Sequence, residues 1–308
     1  MIKITGLTKT YGRLTALESL DLHIASGDIF GFIGPNGAGK TTTMRVLATL
    51  LEPTAGQAWI DGLDVRRHGR EVRRRVGYMP DFMGVYDDLK VFEYLEFFAA
   101  AFELPRGQRR KTVSDVLELT DLTGKSDALV DSLSRGMQQR LGLARVLVHD
   151  PKVLILDEPA SGLDPRARIE IRELLKELKR MGKTIMISSH ILSELEEMCD
   201  HVGIIEKGRL IFAGTMDQIH ERLGLSSRLI VRVAGPPEPA AALLAGLPQV
   251  EAAKAAEGAI RITLRAGQKD DGLIARTLVM AGIDVMGLAS ERIRLDDAFL
   301  SLTAGAVQ

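Results

Sequence analysis

Gly34-Pro35-Asn36-Gly37-Ala38-Gly39-Lys40-Thr41-Thr42 fits the pattern Gly, four residues, Gly-Lys-Ser/Thr. A backbone rich in glycine turns sharply and aims successive N–H groups into one concavity that suits phosphate oxygens. Lys40 adds a positive charge, Thr41 offers a hydroxyl to a magnesium ion, and a helix that begins here points its positive end at the same phosphates. Both flanks agree. Ile29-Phe30-Gly31-Phe32-Ile33 is an apolar run of strand type, and Met44, Val46, Leu47, Leu50 and Leu51 recur at helical spacing. Strand, loop and helix are the context the motif requires; a chance match in a glycine-rich turn supplies neither flank.

Working outward, Val153-Leu154-Ile155-Leu156-Asp157-Glu158-Pro159 reads as a buried parallel strand with two carboxylates at its C-terminal end, where open parallel sheets bind ligands. Adjacent acids there repel unless a cation intervenes. Asp157 suits a magnesium ion, directly or through water; Glu158 can orient and polarise a water. His190 stands just past another buried strand, Thr184 to Ser188, within reach of a terminal phosphate. Ser134 is an N-cap for a helix carrying Leu141, Leu143, Ala144, Val146 and Leu147, and the free N–H groups after it make a second potential anion site. One nucleotide needs two such sites only if they lie on different copies. Asp164 caps a helix with Pro165 at its first position, ending near Met181-Gly182. Tyr11, in the turn between the first alternating segments, reads either as a packed strand-end residue or as a ring on which a base stacks.

Composition limits the alternatives. The chain has 308 residues, 45% apolar and 26% charged, with 40 basic against 41 acidic side chains, so no global field argues for nucleic acid. Its only cysteine, Cys199, excludes an intrachain disulfide and multi-cysteine zinc sites. No apolar signal core follows the N-terminus and nowhere do about 18 apolar residues run together, which predicts a cytoplasmic chain that does not itself cross a membrane. The basic run Arg66, Arg67, Arg70, Arg73, Arg74 and Arg75 reads as a solvated helix face or a contact for anionic lipid or a partner. Val91, Phe92, Tyr94, Leu95, Phe97 and Phe98 mark an aromatic-rich helix, for core packing or for docking a partner helix. From Gly224 the texture shifts to alternating strands, an alanine- and leucine-rich stretch and short helices: a small α+β module without a chemical motif.

In their order these motifs resemble the ATP-binding cassette (ABC) family, specifically the ATPase subunits of exporters whose membrane-spanning part is a separate chain. The likeness covers residues 2 to 222. It implies an α/β fold: a P-loop NTPase cassette with a RecA-like parallel core, an antiparallel β subdomain and a helical subdomain over 1–223, followed by a small α+β domain over 224–308. It implies ATP and Mg2+ as ligands. Tyr11 would stack on adenine; Gly34, Pro35, Asn36, Gly37, Ala38, Gly39, Lys40, Thr41 and Thr42 would hold the phosphates; Thr41, Asp157 and Asp81 would face the metal. Glu158, His190 and Lys40 would be catalytic. Ser134 and Gly136 match the signature motif, which contacts the γ-phosphate of the partner's ATP, and Asp164 belongs to the loop that crosses the dimer interface. Two departures stand out: Asp81 where a glutamine is usual, and Arg135 and Met137 within the signature where glycine and glutamine are common. The implied partners are a second cassette, identical or related, and an integral membrane permease, with no nucleic acid; the chain would sit on the inner face of the cell membrane. A soluble ABC-type ATPase acting on nucleic acid or the ribosome is the competing reading. The Asp296-Asp297-Ala298-Phe299-Leu300-Ser301-Leu302 tail supports the exporter comparison.

Overall fold

The computed structural model describes residues 1–82, 84, 88–190, 195–222, 228–256, 258–265, 268 and 272–291; the Asp296–Leu302 tail lies outside them. The chain divides into two compact units, Met1–Gly214 and Thr215–Gln308.

In the first unit, β3 (Ile29–Ile33), β7 (Val153–Asp157) and β8 (Thr184–Ser189) are buried at every position. A strand with parallel neighbours and both faces covered has no wet side, so the sequence runs apolar instead of alternating. The sheet has the order β10-β9-β3-β8-β7-β6, where β6 is Val76–Met79, β9 is His201–Glu206 and β10 is Arg209–Gly214. All its pairs are parallel except β9 with β10, a hairpin closed by Lys207 and Gly208. A second, antiparallel sheet has the order β2-β1-β4-β5, formed by β1 (Ile2–Tyr11), β2 (Leu14–Ile24), β4 (Ala55–Ile60) and β5 (Leu63–Asp64). Ile2, Ile4, Leu7, Leu17, Leu20, Leu22 and Ile24 from this sheet share one core with Phe30, Phe32, Val153, Ile155 and Met186.

Between β6 and β7 the chain forms α3 (Val91–Ala101), α4 (Arg106–Leu119) and α5 (Arg135–Leu147), which pack on one another. Tyr94 and Leu95 of α3 are fully buried, whereas Phe97 is half exposed. One face of the aromatic helix, Val91, Tyr94, Leu95 and Ala99, is therefore core, Phe92 and Phe98 are half-buried, and its outward aromatic is Phe97. The basic run is a solvated face with local partners: on α2 (Gly69–Arg75), Arg70 and Arg74 bind Glu103, Arg73 donates to Thr49 Oγ1 and Arg75 pairs with Asp61, while all of these but Arg75 stay exposed.

The second unit starts with a helix, Met216–Arg222, capped by Thr215, whose hydroxyl accepts from Gln218 N while Gln218 Oε1 accepts from Thr215 N. Next come β11 (Arg228–Val233), a helix over Pro237–Ala245, β12 (Val250–Ala256), β13 (Ala259–Leu264), a helix over Leu273–Met280 and β14 (Val285–Glu291). The antiparallel order β12-β13-β11-β14 makes this βαββαβ run a ferredoxin-like plait. Its core joins Leu229, Val231, Ile260 and Ile262 to Leu244, Ile274 and Leu278.

Candidate functional site

The Gly34–Thr42 loop leaves the C-terminal end of β3 and turns into α1 (Lys40–Leu47). Gly39 makes the turn at φ 111°, and a Cβ there would stand 2.7 Å from Leu17 Cδ2 and 2.8 Å from the Ala16 carbonyl oxygen. No other residue fits that position. The loop closes on Lys40, which is buried and donates to the carbonyl oxygens of Gly34 (2.6 Å) and Pro35 (3.3 Å). Burial pulls the Lys40 ammonium below its usual pKa, while Glu158, Asp157 and Asp81 act in the opposite sense.

β7 delivers the two carboxylates in different directions. Asp157 is 1% exposed; its Oδ2 accepts from the Thr41 hydroxyl at 2.7 Å and its Oδ1 from the Ser188 hydroxyl at 2.6 Å. Ser188 Oγ in turn accepts from Glu158 N at 2.9 Å, so one buried hydroxyl of β8 orients both acids. Glu158 takes φ 51°, in the left-handed region that non-glycine residues avoid. That rotation turns its carboxylate away from Asp157, to 3.8 Å from Lys40 Nζ and 2.7 Å from His190 Nδ1. With Glu158 ionised, Nδ1 carries the proton in this bond, because two acceptors cannot share one.

These groups line a cleft of about 440 Å³ with Tyr11, Leu14, Ala16, Pro35 to Thr42, Asp81 and Ser161. Tyr11 stands at its rim, 45% exposed, with Lys9 Nζ 5.2 Å from its ring centre. An apolar rim, a floor of backbone N–H groups and a cation beside two carboxylates suit a nucleotide whose phosphates enter first. The residues present also fit a magnesium ion. Thr41 Oγ1 and Asp157 Oδ2, both hard oxygens, meet at the mouth of the loop, and such an ion takes one or two protein oxygens and completes its shell with phosphates and water.

The sequence-predicted residues fall into two groups. Tyr11, Pro35 to Thr42, Asp81, Asp157, Glu158 and His190 converge on the cleft; Gly34, Ser134, Gly136 and Asp164 are not among its lining residues. Ser134 caps α5 by accepting from Met137 N at 3.3 Å, and Asp164 caps α6 (Pro165–Arg180) by accepting from Ala167 N at 2.9 Å. The two turns are neighbours: a Cβ on Gly136 would lie 3.3 Å from that of Ala167, and the Arg135 guanidinium rests on Gly162. Ser188 was missed by sequence reasoning, although a hydroxyl two residues before His190 on a strand beside β7 was the available signal.

The ABC transporter family pattern matches residues 17–161. The bacitracin transport ATP-binding protein BcrA of Bacillus licheniformis is 37% identical over 99% of this chain and 98% of its own length. The Nod factor export ATP-binding protein I of Paraburkholderia xenovorans (strain LB400) is 44% identical over 69% of this chain and 70% of its own. Among solved structures, a dimeric ATP-binding cassette in a post-hydrolysis state with ADP and Pi superposes with a TM-score of 0.64 at 26% identity, over 70% of this chain and 99% of that one. With this phosphate loop and these paired acids at the end of β7, the chain belongs to the ABC transporter family, as an ATP-binding subunit that hydrolyses ATP.

Proposed function

We propose that this subunit powers export of a substrate through a separate membrane permease, as one half of a pair of cassettes that closes over two ATP molecules. The observation that carries the assignment of roles is the Glu158 carboxylate, held between Lys40 and His190 at the edge of the phosphate-loop cleft. In this reading Glu158 accepts hydrogen bonding from the attacking water, and His190 fixes the carboxylate and faces the terminal phosphate. Lys40 and the loop N–H groups take the phosphate charge, and Tyr11 supports the base. Thr41 and Asp157 are the oxygens that would hold magnesium, with Asp81 as a further oxygen donor in the same cleft, and the ion would supply charge neutralisation there. Ser134, Gly136 and Asp164 serve the partner's cleft, which accounts for their absence from their own. The pair is identical or formed with a related cassette.

Export and membrane attachment are supported by relatives named for bacitracin transport and for Nod factor export. No helix among the described residues is long and apolar enough to cross a membrane, and in this reading a separate permease provides the passage. The surface for that chain includes Phe97 and Phe82, which is 86% exposed, next to Asp81. Peripheral binding at the cytoplasmic face of the membrane follows. The division into a cassette and an accessory α+β domain is part of the same proposal. The test is to isolate tagged Glu158→Gln protein with ATP from gently solubilised cells of its own source. A polytopic membrane protein at matching stoichiometry is the expected companion; ribosomes or nucleic acid instead would overturn the transport reading.

A further inference from the structure

The protein side chains around the cleft are net negative, and a magnesium ion there would offset the carboxylates rather than the charge of the nucleotide. Asp81, Asp157 and Glu158 line the cleft, and Lys40 is its one lysine or arginine among the described residues. Two of the three Lys40 N–H donors already go to the Gly34 and Pro35 carbonyls, which leaves one for a phosphate. A nucleoside triphosphate adds more negative charge, and the charge that spreads over the transferring phosphoryl group is what an additional cation stabilises.

Arg135 is a cation placed to answer this. It is the first residue of α5, directly after Ser134, and it is exposed. Arg140 of the same helix pairs with Asp121 and Glu170, whereas Arg135 makes no ion pair among the described residues. Its guanidinium instead rests on Gly162, itself exposed and at φ 68°, in the space a Cβ would fill. A planar fork held against a backbone, without a carboxylate, keeps its N–H groups available for a phosphate.

We propose that Arg135 is a catalytic residue supplied in trans. When two copies close, its guanidinium arrives alongside Ser134 and donates to the terminal phosphate of the ATP in the partner's phosphate loop. This rests on the reading above, in which Ser134 serves the partner's cleft. Arg135 of one copy then adds a cation against the terminal phosphate held by the other, where the only lysine or arginine among the described lining residues is Lys40.

The experiment uses the full chain carrying Glu158→Gln, so that ATP is held and not consumed. ATP affinity is measured on dilute monomer with a fluorescent nucleotide, and ATP-driven dimerisation by sedimentation velocity. Arg135→Gln is expected to leave monomer affinity within about twofold. Losing one charge-assisted bond weakens each site about tenfold, and two symmetry-related sites raise the dimer dissociation constant about a hundredfold. Arg135→Lys, which keeps the charge but not the fork, should fall between the two. An Arg135→Gln protein that dimerises like its parent would overturn the proposal alone. Loss of ATP affinity in the Arg135→Gln monomer would also overturn it, by placing the guanidinium in its own cleft. A parent that binds ATP yet stays monomeric would overturn the paired-cassette reading and this assignment with it.

Discussion

Replacing Ser188 by alanine removes one oxygen and two hydrogen bonds, one buried and one part-buried. The hydroxyl donates to an ionised carboxylate, Asp157 Oδ1, at 2.6 Å and accepts from Glu158 N at 2.9 Å. A hydrogen bond to a charged group contributes about 1.5–3 kcal/mol and a neutral one about 0.5–1.5, and Asp157, 1% exposed, cannot turn to water for a replacement. The expected loss is about 2–4 kcal/mol. For a unit of this size that lowers the melting temperature by roughly 4–16 °C. The transition to follow in a thermal melt is the one that ATP shifts upward, because that transition belongs to the unit holding the cleft. Turnover should fall more than affinity for ATP, since Asp157 and the start of Glu158 lose their orientation while the phosphate loop keeps its own. A Ser188→Ala protein that melts within about 1 °C of the parent and turns over normally would refute the claim that this hydroxyl holds the two acids.

Three further outcomes follow from the same geometry. Glu158→Gln should keep ATP binding and lose most turnover, whereas Lys40→Ala, which forfeits charge-assisted phosphate contacts, should weaken nucleotide binding by roughly tenfold to a hundredfold in a fluorescence titration. Gly39→Ala should destabilise more than Gly37→Ala: both need a left-handed backbone, but a Cβ at 39 strikes Leu17 and the Ala16 carbonyl while one at 37 meets nothing within 4 Å; equal melting points would contradict this. His149, stacked on Phe102 at a ring-centre distance of 3.7 Å and bonded through Nε2 to the Val76 carbonyl, has its pKa held below the usual value by burial. Below about pH 6.5 the unfolded chain takes up a proton that folded His149 refuses, so stability falls with acidification. Urea midpoints at pH 7.5 and 5.5 should converge more in a His149→Asn variant than in the parent.

How much of this was legible depended on whether the signal was local. The phosphate loop, the acids ending β7 and the caps at Ser134 and Asp164 are short-range patterns, and each falls where its spacing puts it. The antiparallel sheet was harder to read. β1 and β2 are ten and eleven residues long, but Gly6, at positive φ in the register shift between Ile4 and Leu7, and Ser19, at positive φ opposite the shift between Leu7 and Lys9, interrupt the alternation and cut each strand into shorter readable pieces. β12 had no strand signal at all, because Val250-Glu251-Ala252-Ala253-Lys254-Ala255-Ala256 has helical propensity and pairing with β13 overrides it. Contacts between distant segments, such as Ser188 with Asp157 or Arg135 with Gly162, depend on sheet order and helix packing, which no local pattern encodes. The unit boundary at Gly214 lies before the Met216–Arg222 helix, where the change of composition is not yet visible.

The backbone at Glu158 sets folding and activity against each other. Left-handed φ is adopted readily by glycine and asparagine and reluctantly by glutamate, so on backbone grounds alone the fold favours a residue that cannot polarise water. In the proposed mechanism, hydrolysis is the function that requires a carboxylate at that position. A duplicated copy relieved of that duty, paired with an active partner, would therefore be expected to drift from glutamate at 158 while keeping Asp157, whose bonds to Thr41 and Ser188 serve the structure whether or not ATP is cleaved.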